Sequence, residues 1–193
     1  MKKLLTNPFE KYSENDILLF ATAGNFILLI VSFHFNTQFI GNLKINPSNN
    51  IEFKDVVTQH ALIIFTTTVV LYVTGFYLNA KTRLIDILAT CLLSRTVFVF
   101  LPLLNIDDKM FKITKQIVAN LGAINTENTV TGNLGLLLVF TSITILVLIW
   151  FFVLLYNGFK TATNAKDSKS TVAFITAVLI IEIMVRILIK KLT

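Results

Sequence analysis

The chain has 193 residues, 54% of them hydrophobic and only 15% charged, with a formal charge of +6 and a mean hydropathy of +0.74. Soluble domains carry about 25% charged residues. With the apolar residues gathered into five blocks, this composition excludes a soluble enzyme, a nucleic-acid-binding domain and a secreted disulfide scaffold, and leaves a small polytopic membrane protein.

Residues 1–16 are polar. Lys2 and Lys3 lead into further charges rather than an apolar run, so no cleavable signal peptide is expected. Ser13, Asn15 and Asp16 are candidate N-caps for a first helix. The apolar blocks run over 17–35, 60–78, 84–104, 134–159 and 171–189. A helix needs roughly 20 residues to cross the hydrocarbon core, so each block predicts one span. The whole chain, 1–193, reads as a single all-α membrane domain: a bundle of five transmembrane helices.

The connections differ. Residues 36–59 are long and polar, with Pro47 and two adjacent asparagines, and read as a surface link. Residues 79–83 are so few that blocks two and three must form a tight antiparallel hairpin. In the link 105–133, Met110, Ile113, Ile117 and Leu121 recur at helical spacing beside Phe111 and Val118. Lys109, Lys112, Lys115 and Gln116 take much of the other face. This predicts an amphipathic helix over 110–121 lying on the membrane surface, lysines toward phosphates. In block four, Thr141, Ser142 and Thr144 are expected to face other helices.

Basic residues fall mostly in the connections. With the N-terminus inside, the inner pieces carry eight Lys and Arg in 32 residues and the outer pieces seven in 57. The difference in density predicts N-inside, C-outside. No basic stripe suited to nucleic acid is present.

Charges at membrane depth need partners or a reason. Asp86 sits at the start of block three beside Lys81 and Arg83. Arg95 and Glu182 each lie 11 residues into their blocks, roughly 16 Å from the same face. Equal depth and opposite sign predict direct contact, which would make blocks three and five neighbours. Arg186 follows Glu182 by one helical turn and can share its carboxylate or snorkel outward. Arg95, Glu182 and Arg186 thus form the candidate intramembrane polar site. It is either an ion pair that fixes helix neighbours or a site for an ion, proton or lipid headgroup.

His34 and His60, near Glu52 and Asp55, share no metal-ligand spacing and are expected to be interfacial, with no metal site. The single cysteine, Cys91, reads as a packing residue. No HExxH, GxSxG, P-loop or paired-aspartate pattern is present. No catalytic residue, enzyme activity or cofactor is expected.

The stretches TRLIDILATCLLSRTVFVFLPLL (82–104) and WFFVLLYNGFKTATNAKDSKSTVAFITAVLIIEIMVRIL (150–188) resemble bacterial members of the Yip family. These are small five-span proteins related to the Ypt/Rab-GTPase-interacting proteins of secretory membranes. The resemblance rests on Asp86, Ser94-Arg95, Trp150, Asn164 and Glu182, and covers about residues 60–189. It implies five helices, a cytoplasmic N-terminus and, for a bacterial chain, the inner membrane. Eukaryotic members carry an Asp-Leu-Tyr-Gly-Pro motif in a long N-terminal region. The 16 residues here lack it, so no GTPase-contact residue carries over. The expected function is non-enzymatic organisation of the membrane or of partner proteins through helix packing, with the lipid bilayer, protein partners or a second copy as contacts. The alternative is a small transporter or channel subunit using an Arg95–Glu182 site.

Overall fold

In hydrocarbon no water competes for backbone hydrogen bonds, so long apolar runs close their bonds internally as helices. The computed structural model describes residues 6–120, 127–165 and 167–192, and the side chains of all of these except 10, 118–134 and 192. Its helices are α1 (Glu14–His34), α2 (Phe53–Leu78), α3 (Leu84–Thr96), α4 (Lys109–Asn120), α5 (Glu127–Thr163) and α6 (Ser168–Leu192). A short antiparallel ribbon joins α1 to α2: β1 (Thr37–Phe39) and β2 (Ile45–Pro47). Among the described residues, five helical segments are long and apolar enough to cross a membrane: Glu14–His34, Phe53–Leu78, Leu84–Ile117, Gly135–Thr163 and Ser168–Lys191. The fold is that of an all-helical, multi-pass membrane protein.

Local chemistry sets the boundaries. Ser13 caps α1, its hydroxyl accepting from the Asp16 amide at 3.3 Å. Asn36 and Asn164 end α1 and α5 in the left-handed region, φ 49° each, which asparagine tolerates. The third span is not one α-helix. It tightens into a 3₁₀ turn at Val97–Phe100, and Pro102, lacking an N–H, opens the next segment, Pro102–Asp108. Asp107 and Asp108, both at positive φ, break the direction before α4. Helix α4 covers the expected 110–121 segment except Leu121, which lies outside the described residues. Ile113 on α4 is buried, while Lys112, Lys115 and Gln116 are exposed.

Helices α2 and α3 pack as antiparallel neighbours across residues 79–83, α1 packs on α3, and α3 on α5. Helix α6 packs chiefly against α2. Blocks three and five are therefore not the neighbours their charges suggested. Close approach depends on small residues facing threonines: a Cβ on Gly24 would sit 2.5 Å from Thr96 Cγ2, and one on Gly158 2.5 Å from Thr90. Asn25 of α1 donates to the Leu92 carbonyl of α3 at 2.7 Å and to Ala21 at 2.8 Å. Thr141, Ser142 and Thr144 bond back to Leu137, Leu138 and Phe140 of their own helix, and the first two are exposed. The expectation that these hydroxyls face other helices fails for Thr141 and Ser142, while Thr144 is half-buried; each hydroxyl finds its acceptor one turn back.

Two ends of the bundle are tied separately. At the N-terminal end Arg83 bonds Glu14 and lies 3.7 Å from Asp86; these carboxylates, Glu14 first, raise the guanidinium above its ordinary value. At the same end Asn79 donates to the Thr163 carbonyl at 3.0 Å. At the opposite end Asn105 donates to the Phe35 carbonyl at 2.7 Å and accepts from the Phe111 amide at 3.1 Å.

Candidate functional site

The β-ribbon is the unexpected element. The first part of the link after α1 does not stay on the surface, although Asn49 and Asn50 do. Thr37 and Phe39 are buried, and the tip carries the buried Gly41 and Asn42 inward. The strands pair Thr37 with Pro47 and Phe39 with Ile45, and the Ile40 amide closes on the Lys44 carbonyl at 3.0 Å. The tip reaches Thr67 on α2, Arg95 on α3 and Glu182 on α6. Thr67 and Arg95 each stand 11 residues from the α2–α3 turn. That is roughly 16 Å of helix, about half of a 30 Å hydrocarbon core. A non-helical backbone at that depth must be enclosed by protein and supplied with partners.

Asn42 provides and receives them. Its Oδ1 accepts from Arg95 Nη1 at 3.0 Å, its Nδ2 donates to Thr67 Oγ1 at 3.3 Å, and its backbone N–H donates to Glu182 Oε2 at 3.0 Å. Gly41 beside it leaves room for the carboxylate. A Cβ there would lie 2.7 and 3.0 Å from the two Glu182 oxygens. Glu182 turns its other oxygen to Arg186, accepting from Nε at 2.9 Å with Nη2 also at 2.9 Å. The Arg186 side chain is 52% exposed, so it snorkels one turn toward the helix end while still closing the pair.

Arg95 is 1% exposed. The rings of Phe39 and Phe98 each lie 5.6 Å from its guanidinium carbon, placing the cation against two aromatic faces. The same Phe39 packs edge-on against His60 at 5.4 Å, and Phe98 stacks on Phe151 at 4.7 Å. Among the described residues, Nε and Nη2 of Arg95 have no hydrogen-bond partner, nor have the ring nitrogens of His60.

The site residues are therefore brought together, but not as their depths suggested. Arg95 and Glu182 make no ion pair; Asn42 stands between them and serves both. The physical reason is that two groups at equal depth share a plane, not a side, and the inserted ribbon occupies the side where they would meet. His60 also departs from expectation. It is buried against the ribbon while His34 is exposed. Among the described residues no cluster of His, Cys, Asp and Glu suits a metal ion, and Cys91 is buried and free. The residues missed were Gly41 and Asn42. Their signal was a Gly-Asn pair between Phe39-Ile40 and Leu43, a short hairpin pattern inside a link read as polar.

No protein-family model, no curated protein and no solved structure matches the chain.

Proposed function

We propose that this chain is a non-enzymatic integral membrane protein of the Yip type, which organises lipids or partner proteins through its bilayer-facing helices. The carrying observation is how its interior charges are spent. Arg95 is enclosed by Phe39, Phe98 and Asn42, and Glu182 holds a ribbon amide and Arg186. Charges used in this way dock a ribbon rather than line a water-filled route. The outer surfaces of α1, α5 and α6, in contrast, present exposed Leu, Ile and Phe side chains. In this reading the N-terminus faces the cytoplasm of a bacterial cell, α4 lies in the outer interface as an amphipathic helix, and no cofactor takes part.

A second reading, a small transporter or channel subunit, draws support from the unpartnered Nε and Nη2 of Arg95. Intramembrane cations with spare donors mark ion and substrate pathways. Reconstitution into liposomes separates the two. No proton, anion or cation flux above protein-free vesicles is the expected result. Flux that disappears in Glu182→Gln would overturn the organiser reading. Co-purification from native membranes identifies the contacts.

A further inference from the structure

A cleft of about 800 Å³ opens between α1, the end of α3 and α5. Its charged lining group stands at one end, where Tyr12 and Asp16 lie beside the first turn of α1, while Thr96 faces Gly24 further along and spends its hydroxyl on the Leu93 carbonyl. From the charged end Phe20, Ala23, Ile27 and Trp150 carry the lining inward as apolar surface. Asp16 and Ile27 are 11 residues apart on one helix, a run of roughly 16 Å. Half of a hydrocarbon core is about 15 Å. The cleft thus begins at one membrane interface and follows the depth of one leaflet.

Three features select the occupant. The cleft is lined by membrane-spanning segments, so acyl chains are the medium it faces. Its length matches one leaflet's chain. Its mouth is charged in a particular pattern: Asp16 is exposed, with one carboxylate oxygen taken by the Ser13 hydroxyl at 2.6 Å, and Lys11, exposed as well, stands over the Tyr12 ring at 5.8 Å. An anion and a cation at the rim complement an ammonium and a phosphate carried on one headgroup.

We propose that this cleft binds one phospholipid of the ethanolamine type, an acyl chain along α1 and the headgroup ammonium at Asp16. A primary ammonium can donate hydrogen bonds to a carboxylate; the quaternary ammonium of choline cannot. Discrimination between the two headgroups therefore follows from the chemistry of Asp16. The proposal rests on the bilayer-facing function above by naming one of its lipids. It is tested without any flux measurement, so each can fail alone.

Trp150 is the only tryptophan in the chain and lines the cleft, so its fluorescence reports occupancy without a label. The full chain is reconstituted in phosphatidylcholine vesicles. Phosphatidylethanolamine or phosphatidylcholine carrying the same dibrominated acyl chain is then titrated in. The ethanolamine lipid should reach half-maximal quenching at a mole fraction at least threefold lower. Asp16→Asn, which keeps an acceptor for Ser13, should bring that ratio to one. Ala23→Phe places a ring in the cleft from an exposed position and should weaken quenching by both lipids. Leu19→Phe, on α1 outside the cleft lining, should leave it unchanged. Equal quenching by the two lipids in the unaltered protein overturns the headgroup assignment. Quenching indifferent to Ala23→Phe overturns the cleft as the binding place and leaves ordinary surface lipid only. Ala23→Leu serves in place of Ala23→Phe if the larger ring prevents folding, as read by helical circular dichroism.

Discussion

Replacing Asn42 by alanine removes two side-chain hydrogen bonds from the middle of the bundle. The bond from Arg95 at 3.0 Å has an ionised donor, worth about 1.5–3 kcal/mol; the bond to Thr67 at 3.3 Å is neutral, worth about 1 kcal/mol or less. The amide bond to Glu182 survives, because the backbone remains. Asn42→Ala should therefore destabilise the protein by about 2–4 kcal/mol, most of it the cost of stripping Arg95 of the hydrogen-bond acceptor that Asn42 gives it. The assay is unfolding in mixed micelles, read by Trp150 fluorescence, for Asn42→Ala, Arg95→Leu and the double variant. Measured couplings between membrane-buried polar pairs average about 0.6 kcal/mol and reach about 1.7. The Asn42–Arg95 cycle should fall toward the upper end, at about 1–1.5 kcal/mol. The corresponding cycle for Arg95→Leu with Glu182→Leu should be smaller, below about 0.5 kcal/mol, because those two share no direct bond. Additivity of the Asn42 and Arg95 losses, or a larger coupling between Arg95 and Glu182, would refute the bridging role of the ribbon.

Gly41→Ala should cost about 1–3 kcal/mol by pushing a methyl into the Glu182 carboxylate, and thermal unfolding that matches the unaltered protein would contradict the depth of the ribbon. Single cysteines at Ser13, Ser48 and Ser168 should label in two groups, with only position 48 reactive from outside the cell; outside labelling at 168 would reverse the orientation. Spin labels at Phe111 and Ile117 on α4 should be shielded from aqueous quenchers relative to one at Lys112, and equal exposure at all three would make α4 an ordinary solvated helix.

Periodicity and block length were enough to expect five helices long and apolar enough to cross a membrane, because hydrocarbon imposes one solution on an apolar run. The ends were less legible. Helix α2 begins at Phe53, well before the block at 60, since Lys54, Asp55 and Gln59 are polar yet helical outside the hydrocarbon. The three site residues were also legible, since Arg95, Glu182 and Arg186 stand out against apolar neighbours. Their pairing was not. Depth along a helix can be counted, but rotation and neighbour choice depend on packing, and the Gly24–Thr96 and Gly158–Thr90 contacts carry no charge to announce them. Asn42 escaped because its depth comes from the return path of the chain after Asn36, which no local spacing encodes.

The ribbon, Arg95 and Glu182 form a unit in which each part answers a need of another. The tip exposes an amide that hydrocarbon cannot satisfy, and Glu182 accepts from it. Arg95 brings a cation that needs an acceptor and polarisable faces, and Asn42 and Phe39 supply one of each. Withdrawal of the ribbon therefore forfeits at least the 2–4 kcal/mol assigned to the Asn42 side chain, together with the Glu182 bond and one aromatic face. Each 1.4 kcal/mol is a factor of about ten, so the withdrawn state is populated at roughly 1% or less. Hydrogen exchange reads this directly. The Asn42 amide should exchange at least about a hundredfold more slowly than the amides of Asn49 and Asn50 in the exposed part of the same link. Equal exchange at these three positions would mean that the ribbon leaves the bundle freely, and that Arg95 spends its time without the partners on which its burial depends.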